Sequence, residues 1–87
     1  MNEKSDIPII IDDLSSFDKL FPDAVWYVVT NNNSSAYSLV KYFGISYVRA
    51  FELREQMELA GIIGKPRYGY PEILVTEKAI EDIINRI

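Results

Sequence analysis

A chain of 87 residues with 48% hydrophobic and 13% aromatic side chains has material for one core and no second one, because a domain this small buries only about 60–65% of the surface its unfolded chain exposes. It contains neither cysteine nor histidine, which excludes disulfides and thiolate metal sites and removes the commonest general base and metal ligand. The net charge of −4 argues against a large electrostatic footprint on nucleic acid. The charge is uneven, however: residues 1–33 carry two basic and six acidic side chains, residues 34–71 five and three, and residues 72–87 two and four. The local basic excess permits contact with phosphate in the middle of the chain.

The longest apolar runs, residues 7–11 and 24–29, fall far short of the roughly 20 residues a membrane helix needs. The first residues carry acids beside Lys4 and do not resemble a signal peptide. The expected setting is reducing and cytoplasmic, with no membrane partner.

In chain order, Ile7-Pro8-Ile9-Ile10-Ile11 is β-branched and short, and reads as an edge strand or extended arm that Asp12-Asp13 end. Ser15-Ser16-Phe17-Asp18 leads into a first helix with Pro22 in its first turn, where the missing N–H would be unpaired anyway. Ala24, Val25, Val28 and Val29 recur at helical spacing, with Trp26 and Tyr27 at the flanks, before the turn-forming Asn31-Asn32-Asn33. Ser34 or Ser35 caps a second helix with Ala36, Leu39, Val40 and Phe43 inward and Tyr37, Lys41 and Tyr42 nearer solvent.

That helix stops near Phe43, and a third starts at Ser46, whose hydroxyl can accept a free N–H of the first turn. Gly44 suits a helix-ending positive φ. Only about three residues turn the corner, which is the spacing of a helix-turn-helix. Over residues 46–60, Ala50, Leu53, Met57 and Gly61 share the core-facing side. Val48, Glu52, Glu55, Gln56 and Leu59 lie opposite, with Arg49 at the edge, Arg54 snorkelling from near the core stripe, and Phe51 among the apolar groups left outside.

After Gly61 the period changes. Ile62-Ile63 and Ile73-Leu74-Val75 are short apolar runs on either side of a nine-residue span of turn formers containing Lys65, Arg67, Tyr68 and Tyr70, which predicts a β-hairpin with a long tip. Three helices and then a hairpin make a winged helix. Thr76 is placed to cap a final helix over residues 77–87, whose Ala79, Ile80, Ile83, Ile84 and Ile87 form an apolar stripe. Such a stripe is buried either on its own domain or in a homodimer. The expected architecture is mainly α with a small β-hairpin. It comprises an N-terminal arm or edge strand (1–16), a winged helix-turn-helix with a three-helix core and wing (17–75), and an added C-terminal helix (76–87).

Residues 17–75 resemble the C-terminal gamma domain of FtsK/SpoIIIE-type bacterial DNA translocases. The likeness is carried by Leu20-Phe21 and Ala24, then by Ile45, Tyr47, Arg49-Ala50, Glu55-Gln56-Met57-Glu58 and Gly61-Ile62. They stand in the order and spacing that family shows as I-G-Y-N-R-A-x-R-I-x-E-Q-M-E-x-x-G-I. The resemblance implies a winged helix that recognises short oriented sequences on double-stranded DNA, gives a translocase motor its direction in chromosome segregation, and touches a site-specific recombinase. It also implies that Arg49 contacts DNA, with Lys65 and Arg67 of the wing on phosphate or in the minor groove. Where the family has Asn this chain has Val48, and where it has a second Arg this chain has Glu52. Val can only touch a thymine methyl, and Glu can only accept from cytosine. The motor's G-x-x-x-x-G-K-[ST] phosphate loop is absent from these residues.

The expected DNA-binding set is therefore Tyr37, Lys41, Ser46, Tyr47, Val48, Arg49, Glu52, Lys65, Arg67 and Tyr68, with hydroxyls and cations fixing register on the backbone. The alternative is a protein-interaction module on the same scaffold, with Val48, Phe51, Leu59, Ile80, Ile83, Ile84 and Ile87 as its surface. An enzyme would have to work from carboxylates such as Asp12, Asp13 or Asp23, whose spacing capping and solvation explain better. No catalytic residue, metal, cofactor or small-molecule substrate is expected.

Overall fold

The computed structural model describes residues 3–65 and 69–86. Within them the chain forms α1 (Phe21–Asn31), α2 (Ala36–Phe43), α3 (Tyr47–Leu59) and a single turn, α4 (Glu81–Ile84), with 3-10 turns at Leu14–Ser16 and Lys78–Ile80.

Local chemistry sets most of these boundaries. Asp13 opens the first 3-10 turn by accepting from the Ser15 N–H at 3.1 Å. Pro22 sits in the first turn of α1, and Asn32 ends that helix in the left-handed region at φ 51°, a conformation asparagine tolerates better than most residues. Ser35 caps α2 by accepting from the Ser38 N–H at 3.2 Å, so Ser35 rather than Ser34 does this work. Ser34 is buried and donates instead to the Pro71 carbonyl at 2.5 Å, fastening the start of α2 to the distant loop. Gly44 closes α2 at φ 64°, and Ser46 caps α3 through the Arg49 N–H at 3.1 Å.

The core lies where the three helices meet. Phe21, Ala24, Val25 and Val28 of α1, Leu39 of α2, and Ala50, Leu53 and Met57 of α3 are fully buried, each large aliphatic contributing roughly 1.5–3 kcal/mol of burial. α3 packs on both α2 and α1. The Tyr27 ring of α1 adds contacts to Tyr42 and Phe43 of α2, at centroid separations of 4.4 and 5.9 Å. Gly61 does not join the core stripe expected of it: it is exposed, at φ 78°, in the turn that follows α3.

The predicted hairpin contracts to a single antiparallel bridge between Ile63 and Ile73. It is supported by Gly64 N–H to Glu72 O at 2.8 Å and Leu74 N–H to Ile62 O at 2.9 Å. No longer strand forms among the described residues, because these bonds involve only two or three residues a side before the glycine- and proline-rich span begins. The expected wing-tip residues Arg67 and Tyr68 lie outside the described residues, as does Ile87.

The N-terminal segment meets the segment that follows the bridge. Ser5 forms a parallel bridge with Val75, and the Ile9 N–H donates to the Ala79 carbonyl at 2.6 Å. The isoleucine run itself forms no strand: Ile7 and Ile10 are exposed, while Ile9 and Ile11 pack against the core. The C-terminal segment is a 3-10 turn and one α-turn rather than the continuous helix expected over residues 77–87. Thr76 does not cap it; its hydroxyl is used on Ser5 O and Asp6 instead. Ile80 and Ile83, expected as an interaction surface, are buried in this chain's own core, and Ile84 packs against it. Ile80 and Ile83, so buried, are not available as a contact face.

Candidate nucleic-acid interface

The α2-turn-α3 unit leaves the outer side of α3's first two turns uncovered. Val48 is 69% exposed, Tyr47 and Phe51 are about half exposed, and Glu52 is exposed beside them. The Tyr47 and Phe51 rings lie one helical turn apart with centroids 6.3 Å from each other. On α2, Tyr37 and Lys41 are both exposed, with the Lys41 ammonium 5.9 Å from the Tyr37 ring centroid. Lys65 is exposed at the near end of the bridge region. The fold thus leaves Tyr37, Lys41, Ser46, Tyr47, Val48, Glu52 and Lys65 accessible to solvent.

Arg49 is placed differently from an unattached surface cation. Its Nε donates to Asp18 Oδ2 at 2.9 Å and its Nη2 to Asp18 Oδ1 at 2.8 Å, the fork-on-carboxylate geometry characteristic of arginine. The Asp18 side chain is 15% exposed and that of Arg49 43%. Asp18 is itself anchored: its Oδ1 also accepts from the Leu20 N–H at 2.8 Å, and its own N–H donates to Gln56 Oε1 at 3.1 Å. The Arg49 hydrogen bonds hold the Asp18 carboxyl below the usual carboxylate range, against a smaller opposing effect of burial. Arg49 is correspondingly pushed up, chiefly by Asp18. Residue pattern alone missed Asp18 and the role of Gln56, since an aspartate before a helix has the same periodicity whether it caps, solvates or pairs.

Further along α3, towards its C-terminal end, the surface is more apolar. Leu59 is 84% exposed, and Phe51, Arg54, Glu55, Glu58, Ile63 and Pro71 line a shallow groove of about 340 Å³. Arg54 is half-buried there with its guanidinium 5.6 Å from the Phe51 ring centroid, and desolvation lowers its pKa. Among the described residues no group of three or more carboxylates stands close enough to hold a metal. Nor, among the described residues, is any helix long and apolar enough to cross a membrane.

The model of the family described as the Ftsk gamma domain matches residues 15–76, which includes Asp18, the whole helix-turn-helix and the Ile63–Ile73 bridge. The chain belongs to that family.

Similar proteins carry this gamma domain as a small part of their length. DNA translocase SftA of Bacillus subtilis (strain 168) is 38% identical over 73 residues, covering 83% of this chain and 7% of that protein. DNA translocase FtsK of Sporosarcina ureae is 32% identical over 65 residues, or 74% of this chain and 8% of that one. DNA translocase FtsK of Halalkalibacterium halodurans is 41% identical over 63 residues, or 67% and 8%. The gamma domain here therefore spans less than a tenth of the relatives it matches.

Proposed function

We propose that this gamma domain is a non-catalytic, double-stranded-DNA-binding winged helix that docks α3 in the major groove and sets the segment around Lys65 against the backbone. The observation that carries the reading is the uncovered N-terminal half of α3, entered through a three-residue turn and a serine cap, with Arg49 at its edge. A helix presented this way offers base-edge contacts from its first turns and phosphate contacts from its N–H groups and flanking hydroxyls. On this reading the isolated Ile63–Ile73 bridge is the root of the wing. By likeness to proteins named DNA translocases, the domain would serve a motor that moves along DNA.

The direct test is titration of the purified domain against random and selected duplexes at two salt concentrations. Affinity is expected to fall steeply with salt, the slope of log affinity against log salt being about −0.9 for each phosphate neutralised. One sequence should stand out, and Arg49→Ala should reduce that preference. Absence of binding even at low salt would overturn the proposal.

A second reading, a protein-contact module, is favoured by one observation. Val48, Phe51 and Leu59 are exposed on α3 among the acids Glu52, Glu55 and Glu58, a mixture suited to a protein partner and repulsive to phosphate. Substituting Phe51 and Leu59 by serine should then abolish partner binding and leave duplex affinity unchanged.

A further inference from the structure

We propose that Asp18 is a positioning residue for base recognition: it grips one edge of the Arg49 guanidinium so that the adjoining edge is offered, already oriented, to a guanine in the major groove. This rests on the DNA-binding reading above and deepens it by naming a base and a residue that acts through another.

The argument is one of donor geometry. A guanidinium has five N–H donors in a rigid plane. Asp18 engages the Nε hydrogen and one of those on Nη2, so the outward Nη1/Nη2 edge keeps a parallel pair of N–H groups. That pair matches the O6 and N7 acceptors of guanine, the commonest specific arginine contact. Phosphate would accept the same edge, so the test below removes N7 alone.

The grip is built rather than incidental. Asp18 is fastened to α3 at two places two helical turns apart, by its carboxylate to Arg49 and by its N–H to Gln56, and the Leu20 N–H holds the same carboxylate from its own loop. The shielded partner is the aspartate and the open one is the arginine. An arginine held in this way loses less rotamer freedom on binding than a free one.

A carboxylate beside the groove also repels phosphate, so positioning and attraction have opposite signs. Asp18→Asn should raise or leave unchanged the affinity for random duplex while lowering discrimination at one base. A purely structural ion pair would not separate those two quantities.

The experiment uses duplexes selected by the wild-type protein from a randomised pool, with each guanine replaced in turn by 7-deazaguanine. In the wild type, one replacement should weaken binding about fivefold to tenfold, because it breaks one of the two hydrogen bonds of a bidentate base contact. In Asp18→Asn that penalty should shrink to about twofold or less. In an Arg49→Ala background, Asp18→Asn should change discrimination no further. Circular dichroism confirms that each variant is folded. If Asp18→Asn does not fold, Asp18→Glu, which keeps the charge but displaces the carboxylate by one methylene, should lower the penalty instead. A full penalty retained in the folded Asp18 variant overturns the proposal, as does a wild type that binds duplex with no guanine-specific penalty. A wild type that binds no DNA at low salt sinks the DNA reading itself, an outcome distinct from either.

Discussion

Ser46 joins the stability of α3 to its proposed contact with DNA, and two substitutions separate the roles. Ser46→Ala removes the oxygen that accepts from the Arg49 N–H at 3.1 Å; losing such a cap costs about 1 kcal/mol. A chain of this length has total stability of roughly 4–13 kcal/mol, so the variant stays folded, with a melting temperature lower by about 4–8 °C. Ser46→Asp keeps a capping oxygen and adds a negative charge that a helix N-terminus favours, so its melting temperature should stay within about 2 °C of wild type. The same charge would stand on the order of 7 Å from a bound phosphate, where Coulomb repulsion in water is about 0.6 kcal/mol. Duplex affinity should therefore fall about threefold at low salt, and the difference should shrink as ions screen it. Thermal unfolding by circular dichroism and fluorescence anisotropy on a labelled duplex read the two effects independently. Wild-type affinity in Ser46→Asp at low salt would refute the placement of the α3 N-terminus against phosphate. An unchanged melting temperature in Ser46→Ala would refute the cap.

Glu52→Arg should strengthen duplex binding and steepen the salt dependence by about 0.9 per added phosphate contact; unchanged affinity in the same titration counts against α3 facing a groove. Leu53→Ala, at a fully buried position, should cost about 2–5 kcal/mol, read as a lower urea midpoint. Ile80→Ala should cost a similar 2–5 kcal/mol by an amount independent of protein concentration, because Ile80 lies in the chain's own core; a concentration-dependent midpoint would instead indicate a subunit interface. Since the Asp18 carboxyl is held below its ordinary value, its pairing adds stability above the unfolded value of about 3.9. That stability is lost as pH falls below this and through the depressed folded value. Asp18→Asn should thus flatten the acid limb of the stability curve, with less effect on its shape near neutral pH.

The helix-turn-helix was legible because its signals are local. Apolar spacing identified the buried faces of α1, α2 and α3, and Gly44 and Ser46 fall at the end of one helix and the start of the next as their backbone preferences require. The exposure of Tyr37, Lys41, Val48 and Glu52 followed from the same periodicity, since a side chain opposite a buried stripe faces outward. The hairpin was only partly legible: Ile63 and Ile73 do pair, but turn-former composition does not reveal how few residues will form a ladder. The C-terminal helix was overestimated. Its isoleucines recur at helical spacing, yet α4 runs only over Glu81–Ile84 after a 3-10 turn. Spacing records which side chains need burial, not how tightly the backbone winds to bury them.

Interactions between neighbours along the chain, such as caps, turn conformations and the stripe of one helix, are decided by residues within about one turn of each other, and the amino-acid order alone determined them here. Partners brought together by packing were decided only by the tertiary structure. Asp18 meets Arg49 across 31 positions and Gln56 across 38, and Ser34 meets Pro71 across 37. The N-terminal segment pairs with a segment 70 positions away through Ser5 and Val75. The isoleucine stripe carried an apolar demand that its own core or a second chain could equally have met, and it settled when the residues around Ile80 and Ile83 closed over the helices. An apolar surface has no preferred partner until the fold brings one within contact, whereas a serine before a helix already has its N–H three residues away.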